Sequence, residues 1–300
     1  MAQTLKTLRK KSIYLGTSSW KYEGWKGLVY QKDYPSKKGF NDECLKEYGK
    51  TYPTVGVDHT YYTWPRASQF KQYIDQTPPG FKFGLKATEE VTVFHYPKHA
   101  RYGKKSGTQN PHFLDAALFK ERFLEPLRPY WDRMGPIMFE FSQFFPGSIA
   151  SGSDFTAQLG KFLSALKDDA NELSFAVELR NKSWLKPAYF EMLISHHTSH
   201  VFNSWTRMPP VEEQLALTQD FKFRNYVARL LLEPGNSYQS AVDSYSPYDK
   251  VQNEQPKIRK AAASLITRAM DQSVPAYVFV NNRLEGCAPR TIDGILSLLD

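Results

Sequence analysis

Residues 174–180 read Ser174-Phe175-Ala176-Val177-Glu178-Leu179-Arg180, and the fold turns on how this run is taken. Side chains alternate faces along a strand, so Phe175, Val177 and Leu179 share one face while Ala176, Glu178 and Arg180 share the other. Bulky apolar residues on one side suit a strand covered by helices. Small residues followed by charges on the other side suit a narrow interior that opens at the strand's C-terminal end. The same division recurs at 81–87, where Phe81, Phe83 and Leu85 oppose Gly84 and Lys86. It recurs again from Ile137 to Ser142, where Ile137, Phe139 and Phe141 oppose Met138, Glu140 and Ser142.

Outward from these three runs, strand-like stretches fall at 12–18, 54–58, 200–203, 225–231 and 275–280. Helical candidates lie at 67–76, 111–133, 155–165, 187–196, 256–270 and 291–299. The 256–270 stretch has Pro256 in its first turn and apolar residues at Ile258, Ala262, Leu265, Ile266 and Ala269, as an amphipathic helix requires. Eight alternating units over 300 residues predict an α/β protein, a (β/α)8 TIM barrel in a single domain. Two long loops are expected, at 94–111 after strand three and at 233–255 after strand seven. An open doubly wound sheet is the competing architecture, and it carries a Gly-rich phosphate turn after its first strand. Gly16-Thr17-Ser18-Ser19-Trp20 lacks that fingerprint. Residues 1–11, with Lys6, Arg9, Lys10 and Lys11, read as a flexible basic N-terminus.

Composition sets the class. Hydrophobic residues make up 41% and charged residues 23%, the balance of an ordinary globular protein with a sizeable core. Cys44 and Cys287 are the two cysteines, too few for a disulfide framework, and no Cys or His spacing matches a structural zinc site. No apolar run reaches the ~20 residues of a membrane span, and no signal-peptide pattern opens the chain. The expectation is a cytoplasmic protein without membrane, metal or cofactor. A formal charge of +8 favours anionic partners.

In a barrel of this type the site forms at the C-terminal ends of the strands, where Lys86, Glu140, Glu178 and Arg180 converge. Arg229 joins them on the parity of Val227, and Asn281 and Asn282 close the last strand. Buried charges must pair or face a wet pocket. The pattern predicts a pocket for a phosphorylated or polyhydroxylated substrate, a small anionic or polyhydroxylated ligand. Glu140 and Glu178 are the general acid and base candidates. Lys86, Arg180 and Arg229 bind anionic oxygens, and the two asparagines orient the ligand. Trp20, Asp58, His59 and Tyr61, just beyond strand ends, complete the binding set.

The same residues leave other readings open. Lys86, Glu140, Glu178 and Arg180 also fit a structural ion-pair network in a catalytically inactive ligand-binding barrel. A carboxylate pair with Trp20, Trp64, Trp184 and Tyr61 fits glycoside hydrolysis, although Arg180, two residues from Glu178, can hold it as an ion pair. Asp58, His59, Glu140 and Glu178 are metal-ligand types, but neighbours on a strand point to opposite faces and inward Lys and Arg compete. Nucleic acid is the alternative partner: Lys98, Arg101, Lys104 and Lys105 interleave with Tyr96, His99 and Tyr102 in the loop 95–105, a pattern suited to phosphates and stacked bases. His196, His197 and His200 fall ahead of strand six, away from the site, and read as structural.

Several motifs follow one another in a set order: Gly16-Thr17-Ser18-Ser19-Trp20 with Trp25, Gly27 and Tyr30; residues 54–62 with Pro65; Pro78-Pro79-Gly80-Phe81 leading to Lys86; Gly135-Pro136; Glu178-Leu179-Arg180 with Ser183-Trp184; and Asn281-Asn282 with Ala288-Pro289-Arg290. In this order they resemble the YecE-like family, domain of unknown function 72, over nearly the whole chain. The resemblance implies a TIM barrel and brings no established reaction. Two departures stand out. Gly56 and Asp58 occupy positions where the family more usually has Glu and Asn, and Arg229-Leu230-Leu231-Leu232 stands where Arg-Leu-His-Gly is commoner. If that Glu or His matters to chemistry elsewhere, this chain belongs to a subgroup with altered activity.

Overall fold

The computed structural model describes residues 1–145, 147–233 and 235–299; Pro234, inside the second expected long loop, lies outside them. Eight parallel strands close into a barrel in sequence order: β1 (Ile13–Thr17), β2 (Thr54–Val57), β3 (Lys82–Lys86), β4 (Met134–Phe141), β5 (Ser174–Leu179), β6 (Ser199–Ser204), β7 (Tyr226–Leu230) and β8 (Ala276–Val280). This is the (β/α)8 TIM barrel read from the strand pattern.

The alternation decides which residues go inward. Tyr14, Met138, Ala176, Val201, Val227, Tyr277 and Phe279 pack together inside the barrel, and the rings of Tyr14 and Tyr277 stack at 4.8 Å. Gly84 belongs to this layer because the Phe279 ring fills the space a Cβ would need. On the opposite parity Phe139 packs against Phe119 and Phe162, and Phe141 against Phe155, joining the strands to the outer helices. Burial of each such ring contributes ~1.5–3 kcal/mol.

Helix α1 (Ala2–Lys10) precedes the barrel. Residues 1–11 were expected to be flexible, yet this segment is ordered, because Leu5 and Leu8 form an apolar stripe that is buried. The Tyr52 hydroxyl donates to Met1 Sδ, and Arg9 donates to the Pro79 carbonyl at 2.8 Å. Helices α2 (Lys37–Thr51) and α3 (Ala67–Gln76) follow β1 and β2. The loop after β3 contains the single turn α4 (Glu89–Thr92), and a second short helix, α5 (Ala116–Phe119), opens the irregular helical stretch that runs to Arg133. Helices α6 (Gly152–Ala170), α7 (Pro187–Ser195) and α8 (Val211–Leu217) follow β4, β5 and β6. The loop after β7 contains α9 (Tyr238–Tyr245) ahead of α10 (Pro256–Asp271), and α11 (Ala288–Leu296) ends the chain. All five apolar positions anticipated on α10 are buried. Among the described residues no helix is long and apolar enough to cross a membrane. Cys44 and Cys287 are both buried free thiols.

Candidate functional site

Strands β3, β4, β5 and β7 each turn one charged side chain into the barrel above the Met138–Ala176–Val227 layer. Glu140 and Glu178 are direct register partners across β4 and β5. Two adjacent carboxylates repel, and burial makes that repulsion costlier. Cations placed between them relieve it. Glu140 Oε2 accepts from Lys86 Nζ at 2.7 Å, Arg180 Nη2 at 2.9 Å and Arg229 Nη1 at 2.7 Å. Glu178 accepts from Arg180 through Nε and Nη2 at 2.9 and 2.8 Å, and its second oxygen accepts from Arg229 Nη1. Arg229 Nη2 reaches on to Asp58 Oδ1 at 3.2 Å.

Three cations thus face three carboxylates, and their formal charges cancel. Glu178 is fully buried, while Asp58, with 36% of its side chain exposed, is the network's open edge. Burial by itself would raise the Glu140 pKa; Arg180, Lys86 and Arg229 outweigh it and hold this carboxyl well below the ordinary carboxylate range. Burial likewise works against the Arg180 and Arg229 charges, but the carboxylates around them prevail and raise both pKa values. Glu140, Arg180 and Arg229 are therefore held in their ionised forms.

Aromatic groups flank it. Lys86 Nζ lies 3.9 Å from the Tyr61 ring centre, and the Arg180 guanidinium lies 3.9 Å from the ring of Trp205. Both are cation–π distances. Burial, followed by Glu140 and Glu89, pushes the Tyr61 phenol well above its usual pKa, so it stays a neutral hydroxyl. Beyond Tyr61 a cavity of about 500 Å³ is lined by Phe94, Tyr96, Tyr102, Gln143 and Phe144 among others.

The sequence-derived residues divide into two sets. Lys86, Glu140, Glu178, Arg180, Arg229, Asp58 and Tyr61 meet at the mouth. Trp20 and His59 do not join them: both lie against Tyr73 of α3, at 5.3 and 5.9 Å between ring centres. Burial lowers the His59 pKa, favouring a neutral imidazole. The turn Asp58–Tyr61 that follows β2 redirects this side chain. Asn281 accepts from the Arg283 N–H at 3.0 Å and so shapes the turn after β8, while Asn282 accepts from the Ala288 N–H at 2.8 Å and anchors the start of α11. Trp184 stacks on Phe144 as part of the helix packing. Trp205, one residue past β6, was missed; its place immediately after a strand's C-terminal end was the available signal.

Among the described residues no three His, Cys, Asp or Glu side chains converge in a way that would hold a metal ion; Asp58, Glu140 and Glu178 share Arg229 instead. The basic loop is partly neutralised. Arg101 pairs with Glu89 at 2.6 Å and Lys105 with Glu90 at 2.9 Å, so acids just upstream of the loop engage two of its cations. The two departures also have local consequences. A Cβ on Gly56 would lie 3.1 Å from Ser18 Cα and 3.2 Å from its carbonyl oxygen, so the more usual Glu requires the end of β1 to shift by a few tenths of an ångström. Leu231, where the resemblance has His, packs into an apolar cluster with Leu232, Ala241 and Tyr245.

Comparison with known proteins places this geometry. A sequence-family description, "Protein of unknown function DUF72", matches residues 14–300. The UPF0759 protein YunF of Bacillus subtilis is 25% identical over 185 residues, which are 61% of this chain and 56% of that protein; the aligned stretch thus spans little more than half of the curated relative. The crystal structure of a DUF72 family protein from Enterococcus faecalis superposes with a TM-score of 0.63 at 18% identity, covering 96% of this chain and 95% of that one. A DUF72 family protein from Thermotoga maritima superposes with a TM-score of 0.60 at 22% identity, covering 95% and 97%. These structural likenesses concern the fold. With the family match running from the first strand to the end of the chain, this protein belongs to the DUF72 family.

Proposed function

We propose that the barrel mouth binds a small phosphorylated or polyhydroxylated molecule and that the ion network is the floor of that site. The observation carrying this reading is the arrangement of the network itself. Its charges are neutralised in depth and open to solvent at one edge, where Asp58 is partly exposed and Trp205 and Tyr61 stand over Arg180 and Lys86. A partly exposed carboxylate accepts hydrogen bonds from ligand hydroxyls, and aromatic faces pack on the C–H faces of a polyol. Glu140, held ionised by three cations, is too weak a base to take up a proton and serves to fix Lys86, Arg180 and Arg229 in place. In this reading the partly exposed Asp58 orients hydroxyls, while Arg180, its Nε and Nη2 engaged by Glu178 and Glu140, offers its remaining nitrogen to an anionic oxygen.

The nucleic-acid alternative loses support from the Glu89 and Glu90 pairs, which reduce the loop's capacity to replace counterions on a phosphate backbone. A thermal-shift screen separates the readings, because a ligand that binds only the folded state raises the melting temperature by mass action. Sugar phosphates and polyols are expected to stabilise the wild-type protein, and Lys86→Met is expected to lose that stabilisation. Stabilisation by oligonucleotides alone, fading steeply with salt, would overturn the proposal.

A further inference from the structure

Arg283 stands apart from the other cations of the mouth. Lys86, Arg180 and Arg229 each touch at least one carboxylate, whereas Arg283, three residues past β8, has no carboxylate within 4.0 Å among the described residues. Its Nε is buried without a hydrogen-bond partner. Its guanidinium lies 4.3 Å from the ring centre of Tyr238 on α9. A half-buried guanidinium with an unmatched donor is an unusual thing to retain, since desolvating a donor without a partner is costly.

The surroundings fit an anion. Tyr22 and Tyr248 pack edge to face at 5.5 Å, and the charge of Arg283 acts on both of their hydroxyls. Burial pushes the Tyr22 phenol up to about 12 against the opposing effect of Arg283, which keeps it an O–H donor at neutral pH. The frame is fixed. The Arg283 N–H donates to Asn281 Oδ1 at 3.0 Å and Leu284 N–H to the Asn281 carbonyl at 3.1 Å. The backbone of Gly24, after β1, lies directly against the Pro247 carbonyl in the loop after β7, leaving no room for a Cβ.

We infer that Arg283, with the hydroxyls of Tyr22, Tyr238 and Tyr248, is the receptor for the phosphate group of a phosphomonoester whose hydroxylated body extends toward Asp58. This rests on the mouth being a ligand site, and it deepens that reading by naming the anionic half of the ligand. The terminal guanidinium nitrogens of Arg283, rather than its buried Nε, donate to phosphate oxygens, and the phenols donate to the rest. Asp58, whose charge also reaches Tyr22, disfavours a second anion nearby and accepts from a hydroxyl, so the body next to the phosphate carries one.

The test titrates the full-length protein with inorganic phosphate at low salt, followed by ³¹P line broadening. A sugar phosphate is titrated in parallel by thermal shift. Saturable phosphate binding is expected in the wild type, weakened about tenfold or more in Arg283→Gln, as the loss of a charge-assisted pair implies. Tyr238→Phe removes one exposed hydroxyl without touching the fold and is expected to weaken phosphate severalfold at an unchanged melting temperature. It keeps the inference testable should Arg283→Gln fold poorly. No phosphate binding by the wild type, or equal binding by wild type and both variants, overturns the inference. If sugar phosphates still stabilise the protein through Lys86 in that case, the mouth reading survives. If they do not, both fall.

Discussion

Arg229 touches three carboxylates, Asp58, Glu140 and Glu178, as Glu140 in turn touches three cations. Removing one member of a buried ion pair leaves its partners desolvated and uncompensated, a loss of about 3–5 kcal/mol. Arg229→Met is therefore predicted to destabilise the protein by about that amount in urea unfolding. A loss below about 1 kcal/mol would mean that water already screens the network. At this scale the sequence was informative wherever the chain is regular. Period-two alternation puts Lys86, Glu140, Glu178, Arg180 and Arg229 on the inward face, and they are inward. His59 was included for its place just beyond a strand end, and it lies elsewhere because residues Asp58–Tyr61 form a helical turn, where alternation is no guide. Trp205 and Arg283 were passed over for the same reason: both follow their strands in loops, and no periodicity tells which way a loop residue points.

Among the elements, β6 carries the most direct test of a titrating group. His200 is fully buried between α7 and α8, 3.3 Å from the Gln214 side chain and in edge contact with Tyr189 and Phe190. Burial lowers its pKa to about 4 from 6.5, with Gln214 and Glu178 opposing. Between these two values the unfolded chain binds a proton that the folded chain refuses. The stability tied to His200 is full above about pH 6.5 and falls as pH drops toward 4, by roughly 3 kcal/mol at 1.36 kcal/mol per pH unit. Urea unfolding at pH 7.5 and pH 5 is expected to show about 2 kcal/mol of this loss in the wild type and a much flatter response in His200→Asn. Equal slopes would mean that the imidazole is protonated in the fold. Element recognition followed the strength of the pattern. Helix α10 was legible from its apolar stripe, whereas α2 carries Gly39 and Gly49 among many charged residues and escaped notice. Its Ser36 cap, accepting from the Gly39 N–H at 3.0 Å, was the missed start signal. Helix α1 was taken for a flexible arm because its basic residues obscured the Leu5–Leu8 stripe.

Taken whole, the molecule separates its charge from its site. The interior network sums to zero, so the net +8 resides outside it, and long-range attraction for anions is a property of the surface. The barrel itself was legible because eight strands repeated one inward–outward code and because the ordered motifs resembled a known family. The chemistry was less legible, since the sequence shows which charges meet and not whether they satisfy one another. Hydrogen exchange followed by mass spectrometry, with and without a saturating sugar phosphate, tests the central claim that the mouth is the ligand site, because bound ligand suppresses local opening where it sits. Protection is expected in the segments after β5, β6, β7 and β8, near Arg180, Trp205, Tyr238 and Arg283, with the loop 95–105 unchanged. Protection confined to 95–105, or none anywhere while binding is saturated, would contradict it.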